Sequence, residues 1–228
     1  MNFILACIFY FFFYTWTIIF FIIFSPVNLF SQKFVLRLSK FWTGSVIMLS
    51  KKILRIKYEL VGLENIPKDR FFLLASNHQS AWETFFLSFF FNKSAFILKK
   101  ELRKVPLISR YFKKLGFIFI DRENGFQSIK KIINSINLVK EKGVKVIIIF
   151  PEGTRTPINK VGNINAGVFA IHKLLKIPVL VVKHNSGKYW RNKKFIKRPG
   201  KIKVEIFPII EKIEKKEVFI ETINKLFY

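Results

Sequence analysis

The N-terminal part of the chain is almost purely apolar. From Phe3 to Phe24 the sequence FILACIFYFFFYTWTIIFFIIF holds two threonines and no charged residue, and no charge occurs before Lys33. As a helix, this run would be roughly 33 Å long, which matches the hydrocarbon core of a bilayer. A secretory signal peptide fits less well, because no basic residues precede the run and no small-residue cleavage site follows it. The pattern predicts a membrane helix over residues 3–24, either transmembrane or re-entrant.

A second hydrophobic stretch, residues 32–52, carries basic residues at helical spacing. Its sequence QKFVLRLSKFWTGSVIMLSKK places Lys33, Arg37 and Lys40 so that they can face lipid headgroups, which predicts an interfacial helix. We therefore expect residues 1–56 to form a membrane anchor. Lys and Arg are frequent after the first run, so the positive-inside bias predicts that the rest of the chain lies on the cytoplasmic side of an inner or plasma membrane.

Beyond residue 56 the apolar runs become short and are separated by turn-forming residues. The pattern predicts strands over 58–62, 70–76, 95–100, 117–120, 144–150, 178–184 and 201–207. It predicts helices over 79–91, 107–115, 125–141, 163–176 and 213–227. This alternation predicts an α/β domain over residues 57–228, with a mostly parallel sheet covered by helices. The β-branched run VIIIF is typical of a strand that is buried on both faces.

The composition is strongly basic. The 40 Lys and Arg residues against 14 Asp and Glu give a net charge of +26, and no acidic residue occurs between Glu152 and Glu205. Such an excess favours an anionic partner, although a general bias toward Lys, Ile, Asn and Phe would also produce it. The single cysteine, Cys7, excludes an intrachain disulfide and a Cys-based metal site. The three histidines are far apart and without metal-ligand spacing, so we expect no metal site.

His78 and Glu83 lie in SNHQSAWETFF, where a predicted strand gives way to a helix. Within one ideal helix the two side chains would be about 140° apart. They can meet only if His78 lies in the turn that enters the helix, with Ser80 near the N-cap. A histidine held by a carboxylate is the arrangement of a general base and its orienting partner. The alternative is a helix start with a polar entry residue and a solvated glutamate.

Two further junctions carry unusual residues. In FPEGTR, Pro151 ends a buried strand, Gly153 permits a tight turn, and Glu152 and Arg155 follow. Without other information, a turn with a surface ion pair would explain these residues. GFIFIDR likewise ends in Asp121 and Arg122. An arginine there could bind phosphate through two N–H groups or pair with the neighbouring aspartate.

Together, and in this order, these motifs resemble the glycerolipid acyltransferase family, specifically its 1-acylglycerol-3-phosphate O-acyltransferases (lysophosphatidic acid acyltransferases). The family motif His-x4-Asp is similar to His78–Glu83, and a glycine followed by an apolar strand ending in arginine is similar to Gly116–Arg122. FPEGTR at 150–155 matches the third motif without change, and Ile177–Leu180 resembles the fourth. The resemblance extends from about Glu64 to about Pro208. A hydrophobic N-terminal anchor is also usual in the family.

The resemblance implies transfer of a fatty acyl group from a thioester to the sn-2 hydroxyl of 1-acylglycerol 3-phosphate, which yields phosphatidic acid. His78 would be the catalytic base and Glu83 its partner, and the donor would be acyl-CoA or acyl carrier protein, with no metal or bound cofactor. The implied partners are lysophosphatidic acid, the acyl donor and the lipid bilayer. The substrate-binding residues would be Gly116, Asp121, Arg122, Glu152, Gly153, Thr154 and Arg155, with the two arginines on the substrate phosphate.

Three other functions remain open at this point. A sibling acyltransferase would use glycerol 3-phosphate or another lysophospholipid, and an inactive protein of the same fold would catalyse no transfer. A membrane-tethered nucleic-acid-binding protein is disfavoured, because the aromatic residues lie in apolar runs and the sequence has no RNA or DNA recognition motif. We therefore expect no nucleic-acid partner.

The sequence departs from the family pattern at two positions. Glu83 stands where most members carry Asp, so its carboxylate reaches one methylene further. Asn165 stands where members often carry Lys, and Lys160 is the nearby lysine that could replace a phosphate or donor contact.

Overall fold

The predicted N-terminal helix is present in the computed structural model, which describes residues 2–121, 125–158 and 160–228. Helix α1 extends over Asn2–Ile23. Its segment Phe3–Ile23 is long and apolar enough to cross a membrane. Most of its large side chains are exposed, with Phe11 at 66% and Ile22 at 63%. The helix therefore presents an apolar surface that the other described residues do not cover.

Helix α1 nevertheless contacts the body of the protein at two places. The ring centroid of Phe9 lies 5.4 Å from that of Trp190, and Phe21 lies 4.9 Å from Tyr111. Helix α2, Gln32–Lys52, joins α1 through a hydrogen bond of 2.7 Å from the Trp16 indole N–H to the Ser45 hydroxyl. The predicted anchor thus packs along the α/β body.

The predicted strands and helices of the body are all present, with bounds that shift by up to four residues. The strands are β1 Ile56–Val61, β2 Phe72–Ser76, β3 Ser94–Lys99, β4 Ile118–Ile120, β5 Val146–Ile149, β6 Val179–His184 and β7 Gly200–Ile206. The helices that follow α2 are α3 Trp82–Phe90, α4 Ile108–Leu115, α5 Gly125–Glu141, α6 Gly167–Leu175, α7 Ser186–Tyr189 and α8 Lys216–Phe227. The short helix α7 has no counterpart among the predicted elements.

The seven strands of the described residues form one sheet in the order β1-β7-β6-β2-β5-β3-β4. Neighbouring strands are parallel except β6 and β7, where Val182 lies opposite Ile206. The α/β fold with a mostly parallel sheet is therefore confirmed. The carboxyl ends of β2, β4, β5 and β6 lie at one edge of this sheet, here called the catalytic edge, where sites in such folds usually form.

Both faces of the sheet are buried, which explains the continuous apolar runs. In β2, Leu73 and Ala75 contribute to a core with residues of α5, α6 and α8. Their neighbours Phe72 and Leu74 contribute to a second core with Phe9 of α1, Ile47 of α2 and residues of α3. Because the first two helices complete this second core, residues 1–56 share their packing with the domain.

Helix α2 packs closely on α3 at a glycine. A Cβ atom on Gly44 would come within 2.8 Å of the Phe89 ring, so a larger residue there would push the two helices apart. The basic side of α2 is anchored as well, since the Lys40 ammonium donates to the Asn92 side-chain oxygen at 3.0 Å. The predicted interfacial position of α2 remains a prediction.

Candidate active site

His78 lies in the turn between β2 and α3, as the pairing with Glu83 requires. Nδ1 of His78 is 2.9 Å from Oε1 of Glu83. Helix α3 begins at Trp82, so Glu83 lies in its first turn. The N-cap is Ala81, one residue after the predicted Ser80, although the Ser80 hydroxyl does accept the Trp82 N–H at 3.0 Å. The sequence brings the two side chains together because the turn supplies the change of direction that a continuous helix lacks.

Glu83 is fully buried, and both of its carboxylate oxygens accept several hydrogen bonds. Besides His78, Oε1 accepts the backbone N–H groups of Gln79 and Ser80 at 2.8 and 2.7 Å. Oε2 accepts the hydroxyls of Ser80 and Ser186. These donors hold the carboxylate in one orientation, which in turn fixes the imidazole of His78.

The pKa of Glu83 reflects this environment. Burial raises the pKa of Glu83. The positive charges of the His184 and His78 imidazoles and the hydrogen bonds from His78 and Ser80 lower this pKa by more. The net pKa is well below the usual range of a glutamate. Glu83 is therefore ionised at neutral pH, and it can stabilise a positive charge on His78.

The turn after β5 holds the backbone of His78. The Glu152 carboxylate accepts the backbone N–H of His78, and the carbonyl of His78 accepts the N–H of Thr156 at 2.7 Å. The His78 ring stacks on Phe150 with ring centroids 4.1 Å apart and planes at 17°. Residues 150–156 thus orient both the backbone and the ring of His78.

Glu152 is not the exposed half of a surface ion pair, which corrects the simplest interpretation of this turn. The residue is 7% exposed, and its second carboxylate oxygen accepts the hydroxyl of Tyr228. Burial raises the pKa of Glu152, and the hydrogen bonds from Tyr228 and His78 lower it by a smaller amount. The turn bends the chain back over the sheet edge, which places this side chain inside the protein.

Gly153 and Asn165 shape the same turn. Gly153 has φ +70°, a left-handed conformation that favours glycine, and its N–H donates to the Phe150 carbonyl at 3.0 Å. Asn165 donates both its backbone N–H and its side-chain amide to the Pro151 carbonyl, at 3.0 and 2.8 Å. The asparagine at the position of the family lysine therefore supports the turn, while Lys160 is exposed on the surface.

The other predicted substrate-binding residues lie in different places. Thr154 and Arg155 are exposed at the catalytic edge, and Nη1 of Arg155 donates to the Asn192 side-chain oxygen at 3.0 Å. Asp121 lies at the carboxyl end of β4 and pairs with Lys100 at 2.7 Å. Because β4 is three strands from β2, Asp121 lies about 14 Å along the edge from the start of the His78 turn. Arg122 lies outside the described residues.

Gly116 precedes β4 and so lies at the opposite end of the parallel strands from His78, and its contact with the substrate stays a prediction. It ends α4 with φ +81°, donating its N–H to the carbonyls of Phe112 and Lys113. A Cβ atom there would come within 3.3 Å of Val139. The glycine is thus required by the helix end.

Comparison with known proteins identifies the family to which this chain belongs. The Acyltransferase family model matches residues 57–184, which is more than half of the chain. The chain belongs to the Acyltransferase family. All the contacts of His78, Glu83 and Glu152 described above, except those with Ser186 and Tyr228, lie within the matched residues.

Two curated relatives of this acyltransferase-family chain carry the same name. The 1-acyl-sn-glycerol-3-phosphate acyltransferase of Pseudomonas aeruginosa is 40% identical over 167 residues, which cover 73% of this chain and 64% of the relative. That of Saccharomyces cerevisiae is 30% identical over 135 residues, which cover 58% of this chain and 44% of the relative. The chain thus matches less than two thirds of the length of either relative.

A solved structure extends the similarity to nearly the whole chain. The crystal structure of the 1-acyl-sn-glycerophosphate (LPA) acyltransferase PlsC from Thermotoga maritima has 26% sequence identity and a TM-score of 0.76. The superposition covers 99% of this chain and 92% of that one, so the N-terminal helices are included.

Ser186 and Tyr228 are among the site residues that were not predicted from the sequence. Ser186 lies two residues after the end of β6, and the rule that carboxyl ends of parallel strands share an edge could have identified it. Tyr228 lies 76 positions from the glutamate that it contacts, and no motif marks it.

Proposed function

We propose that this protein transfers a fatty acyl group from a thioester to the sn-2 hydroxyl of 1-acylglycerol 3-phosphate and so forms phosphatidic acid. The observation that carries the proposal is the contact of 2.9 Å between His78 Nδ1 and the buried, ionised Glu83. It is the pairing that a general base requires, and it lies in the segment that matches the Acyltransferase family. The names of the relatives supply the acceptor.

The proposed reaction needs no nucleophile from the protein. Since Nδ1 of His78 is engaged by Glu83, Nε2 takes the proton from the sn-2 hydroxyl as its oxygen attacks the thioester carbonyl. Glu83 stabilises the imidazolium that results. When the tetrahedral intermediate collapses, the C–S bond breaks and the proton passes from His78 to the leaving thiolate. The thiol is that of CoA or of the phosphopantetheine of acyl carrier protein, and no metal ion or bound cofactor takes part.

The proposed acceptor is a lipid, which gives the exposed apolar face of α1 a function. Residues such as Phe11, Ile18 and Ile22 are more than half exposed. Removing this surface from water would favour insertion into a lipid leaflet by about 25 cal/mol for each Å² buried. We place α1 in the membrane and the catalytic edge on its cytoplasmic side, where acyl-CoA and acyl carrier protein occur.

The proposed substrate contacts divide between two turns. Arg155 is exposed at the catalytic edge and can bind the acceptor phosphate, and we assign the same task to Arg122. Glu152 and Gly153 act by fixing the turn that holds His78. Because Asn192 already orients Arg155, its guanidinium is placed before the substrate arrives.

The test is an acyltransferase assay of the purified protein in detergent with a radiolabelled acyl donor. Lysophosphatidic acid, glycerol 3-phosphate and lysophosphatidylcholine are compared as acceptors, and acyl-CoA is compared with acyl carrier protein as donor. We expect phosphatidic acid to be the main product and the His78→Ala protein to make almost none. Preferential acylation of glycerol 3-phosphate or lysophosphatidylcholine would assign the chain to a sibling reaction, and the lack of all transfer would refute the proposal.

A further inference from the structure

A basic loop between α7 and β7 lies at the catalytic edge. This loop, residues 191–198, has the sequence RNKKFIKR and contains no carboxylate, in keeping with the absence of acidic residues from 153 to 204. In the chain this loop comes after β6 and α7. Because β6 is parallel to β2, the loop begins at the same edge of the sheet as the His78 turn. The side chain of Asn192 contacts Arg155, which joins the loop to the turn after β5.

Lys197 is the buried centre of this loop. The residue is 6% exposed, and its ammonium donates to the carbonyls of Arg191 and Lys194 and lies 5.4 Å from the centroid of the Trp190 ring. Burial and, to a smaller extent, the positive charges of Arg191 and Arg155 together lower the pKa of Lys197 to about 8. The Lys197 ammonium contacts the Arg191 carbonyl, and Arg155 contacts the adjacent Asn192, so both arginines lie beside this ammonium.

Arg191 is also incompletely satisfied. Its Nη2 donates to the Ile196 carbonyl at 3.4 Å, a long contact, and its Nε is buried without a hydrogen-bond partner among the described residues. Holding three cations together costs electrostatic free energy unless an anion joins them. The protein nevertheless keeps these three cations together at the catalytic edge, next to the proposed reaction centre.

The same loop also contacts the apolar helix α1. The ring of Phe195 lies 4.9 Å from that of Tyr10 and 5.8 Å from that of Phe3. A lipid whose chain follows the apolar surface of α1 would therefore have its headgroup beside the cations of the loop. This adjacency favours a phosphate that is carried by a lipid over a free phosphate.

We infer that Arg155, Arg191 and Lys197 form a phosphate site that receives the phosphate monoester of the lipid acceptor. The inference rests on the proposed acyl transfer and adds Arg191 and Lys197 to it. Arg191 and Arg155 contact the phosphate oxygens, while Lys197 fixes the loop through its two carbonyl contacts and adds positive charge. A monoester carries nearly two negative charges, which suits a cluster of this kind.

Steady-state kinetics of Arg191→Gln test this site, with Arg198→Gln as the matched control. Arg198 has the same residue type in the same loop and is exposed. We expect Arg191→Gln to raise KM for lysophosphatidic acid by roughly 10- to 100-fold, since a hydrogen bond to a charged group is lost. We expect no change in KM for the acyl donor, no change in either KM in Arg198→Gln, and no change in KM for monoacylglycerol, an acceptor without phosphate.

Binding to the His78→Ala protein separates this inference from the proposed reaction, because it requires no turnover. In dodecyl maltoside micelles, radiolabelled lysophosphatidic acid should bind less tightly when Arg191→Gln is added, and glycerol 3-phosphate should compete only weakly. Equal binding with and without Arg191→Gln would overturn the phosphate site even if acyl transfer occurs. Full competition by glycerol 3-phosphate would overturn the lipid as the source of the phosphate.

Two other outcomes would also refute the inference. A rise in KM for the acyl donor alone would assign the cluster to the donor. Weaker sedimentation with phosphatidylglycerol vesicles, combined with an unchanged KM for lysophosphatidic acid, would assign it to the membrane surface. If the wild-type protein binds lysophosphatidic acid through Arg191 but transfers no acyl group, the proposed reaction fails and the phosphate site stands.

Discussion

Nδ1 of His78 lies 2.9 Å from Oε1 of Glu83, and this contact joins the turn after β2 to the first turn of α3. The His78 side chain remains 16% exposed, whereas that of Glu83 is fully buried. The imidazole therefore has one nitrogen fixed inside the protein and the other available to a substrate.

Replacing His78 by alanine should remove almost all acyl transfer. Loss of a general base costs roughly 10²- to 10⁴-fold in rate, and the loss of positioning adds to it. We expect the melting temperature to change little, because the ring is partly exposed and its main contacts are with Phe150 and Glu83. A variant that folds normally and keeps near-normal kcat would exclude His78 as the base.

Glu83→Gln should reduce kcat strongly, because a neutral amide cannot stabilise the imidazolium and must satisfy the donors that now point at the carboxylate. Glu83→Asp should keep the charge but move it back by one methylene, away from the N–H groups of Gln79 and Ser80. We expect the aspartate variant to retain more activity than the glutamine variant. The measurement is kcat for both proteins at pH 7, and a glutamine variant at wild-type rate would contradict the pairing.

Much of this site could be predicted because its signals are local. The strand before His78, the turn and the helix follow one another within residues 72–90, so their order follows from the local pattern, whereas the contact with Glu83 was one of two alternatives that this pattern left open. The position of Glu83 inside the protein was not predictable from the same segment. It depends on Ser186, which β6 brings to the edge from 103 positions away.

The fold shows the same division between local and long-range information. The pattern placed β5 over 144–150 and the structure has Val146–Ile149, since a β-branched run between turns is a local signal. The strand order β1-β7-β6-β2-β5-β3-β4 and the reversal of β7 depend on pairings between distant segments. The burial of Glu152 was not predictable for this reason, because its partners His78 and Tyr228 are 74 and 76 positions away.

The apolar surface of α1 should bind membranes, and its buried residues should stabilise the fold. Replacing Phe11, Ile18 and Ile22 together by alanine should weaken binding to phosphatidylcholine vesicles by roughly tenfold or more, because each loses apolar area. The matched change Phe9→Ala should instead lower the free energy of unfolding by about 3–5 kcal/mol, since Phe9 is fully buried. Vesicle flotation and thermal melting in detergent measure the two effects. Equal vesicle binding by the triple variant would contradict the membrane assignment.

Tyr228→Phe should disturb the site through Glu152. The Tyr228 hydroxyl donates to Glu152 and accepts the Gly162 N–H at 2.7 Å, so its loss removes one donor from Glu152 and the acceptor of the Gly162 N–H. Burial already holds the pKa of Glu152 above its usual value, and losing this donor should raise the pKa further. We expect the acid limb of kcat/KM to move to higher pH, because the ionised carboxylate holds the His78 N–H.

The free energy of unfolding of Tyr228→Phe should also depend on pH, because the variant raises the pKa of Glu152. A carboxyl whose folded pKa is raised contributes stability at low pH and loses it as pH rises through that pKa. The difference in melting temperature between wild type and variant should therefore grow above pH 4.5, the ordinary value for glutamate. Tyr14→Phe, which removes a hydroxyl from an exposed side chain of α1, is the control. Identical pH profiles of all three proteins would rule out a positioning role for Tyr228.

Lys197 should make stability depend on pH in the alkaline range. Burial and the charges of Arg191 and Arg155 lower its pKa from 10.5 to about 8, so between these values the unfolded chain binds a proton that the folded protein does not. Stability from this group therefore rises as pH increases from about 8 to 10.5. Lys197→Met should lose this rise, whereas Lys193→Met, at an exposed position of the same loop, should retain it.

Lysophosphatidic acid should move the rise to higher pH, because a phosphate beside the ammonium stabilises its charged form. Melting curves of the three proteins between pH 7.5 and 10.5, with and without the lipid, measure these slopes. Parallel curves for wild type and Lys197→Met would show that Lys197 is not held near the two arginines.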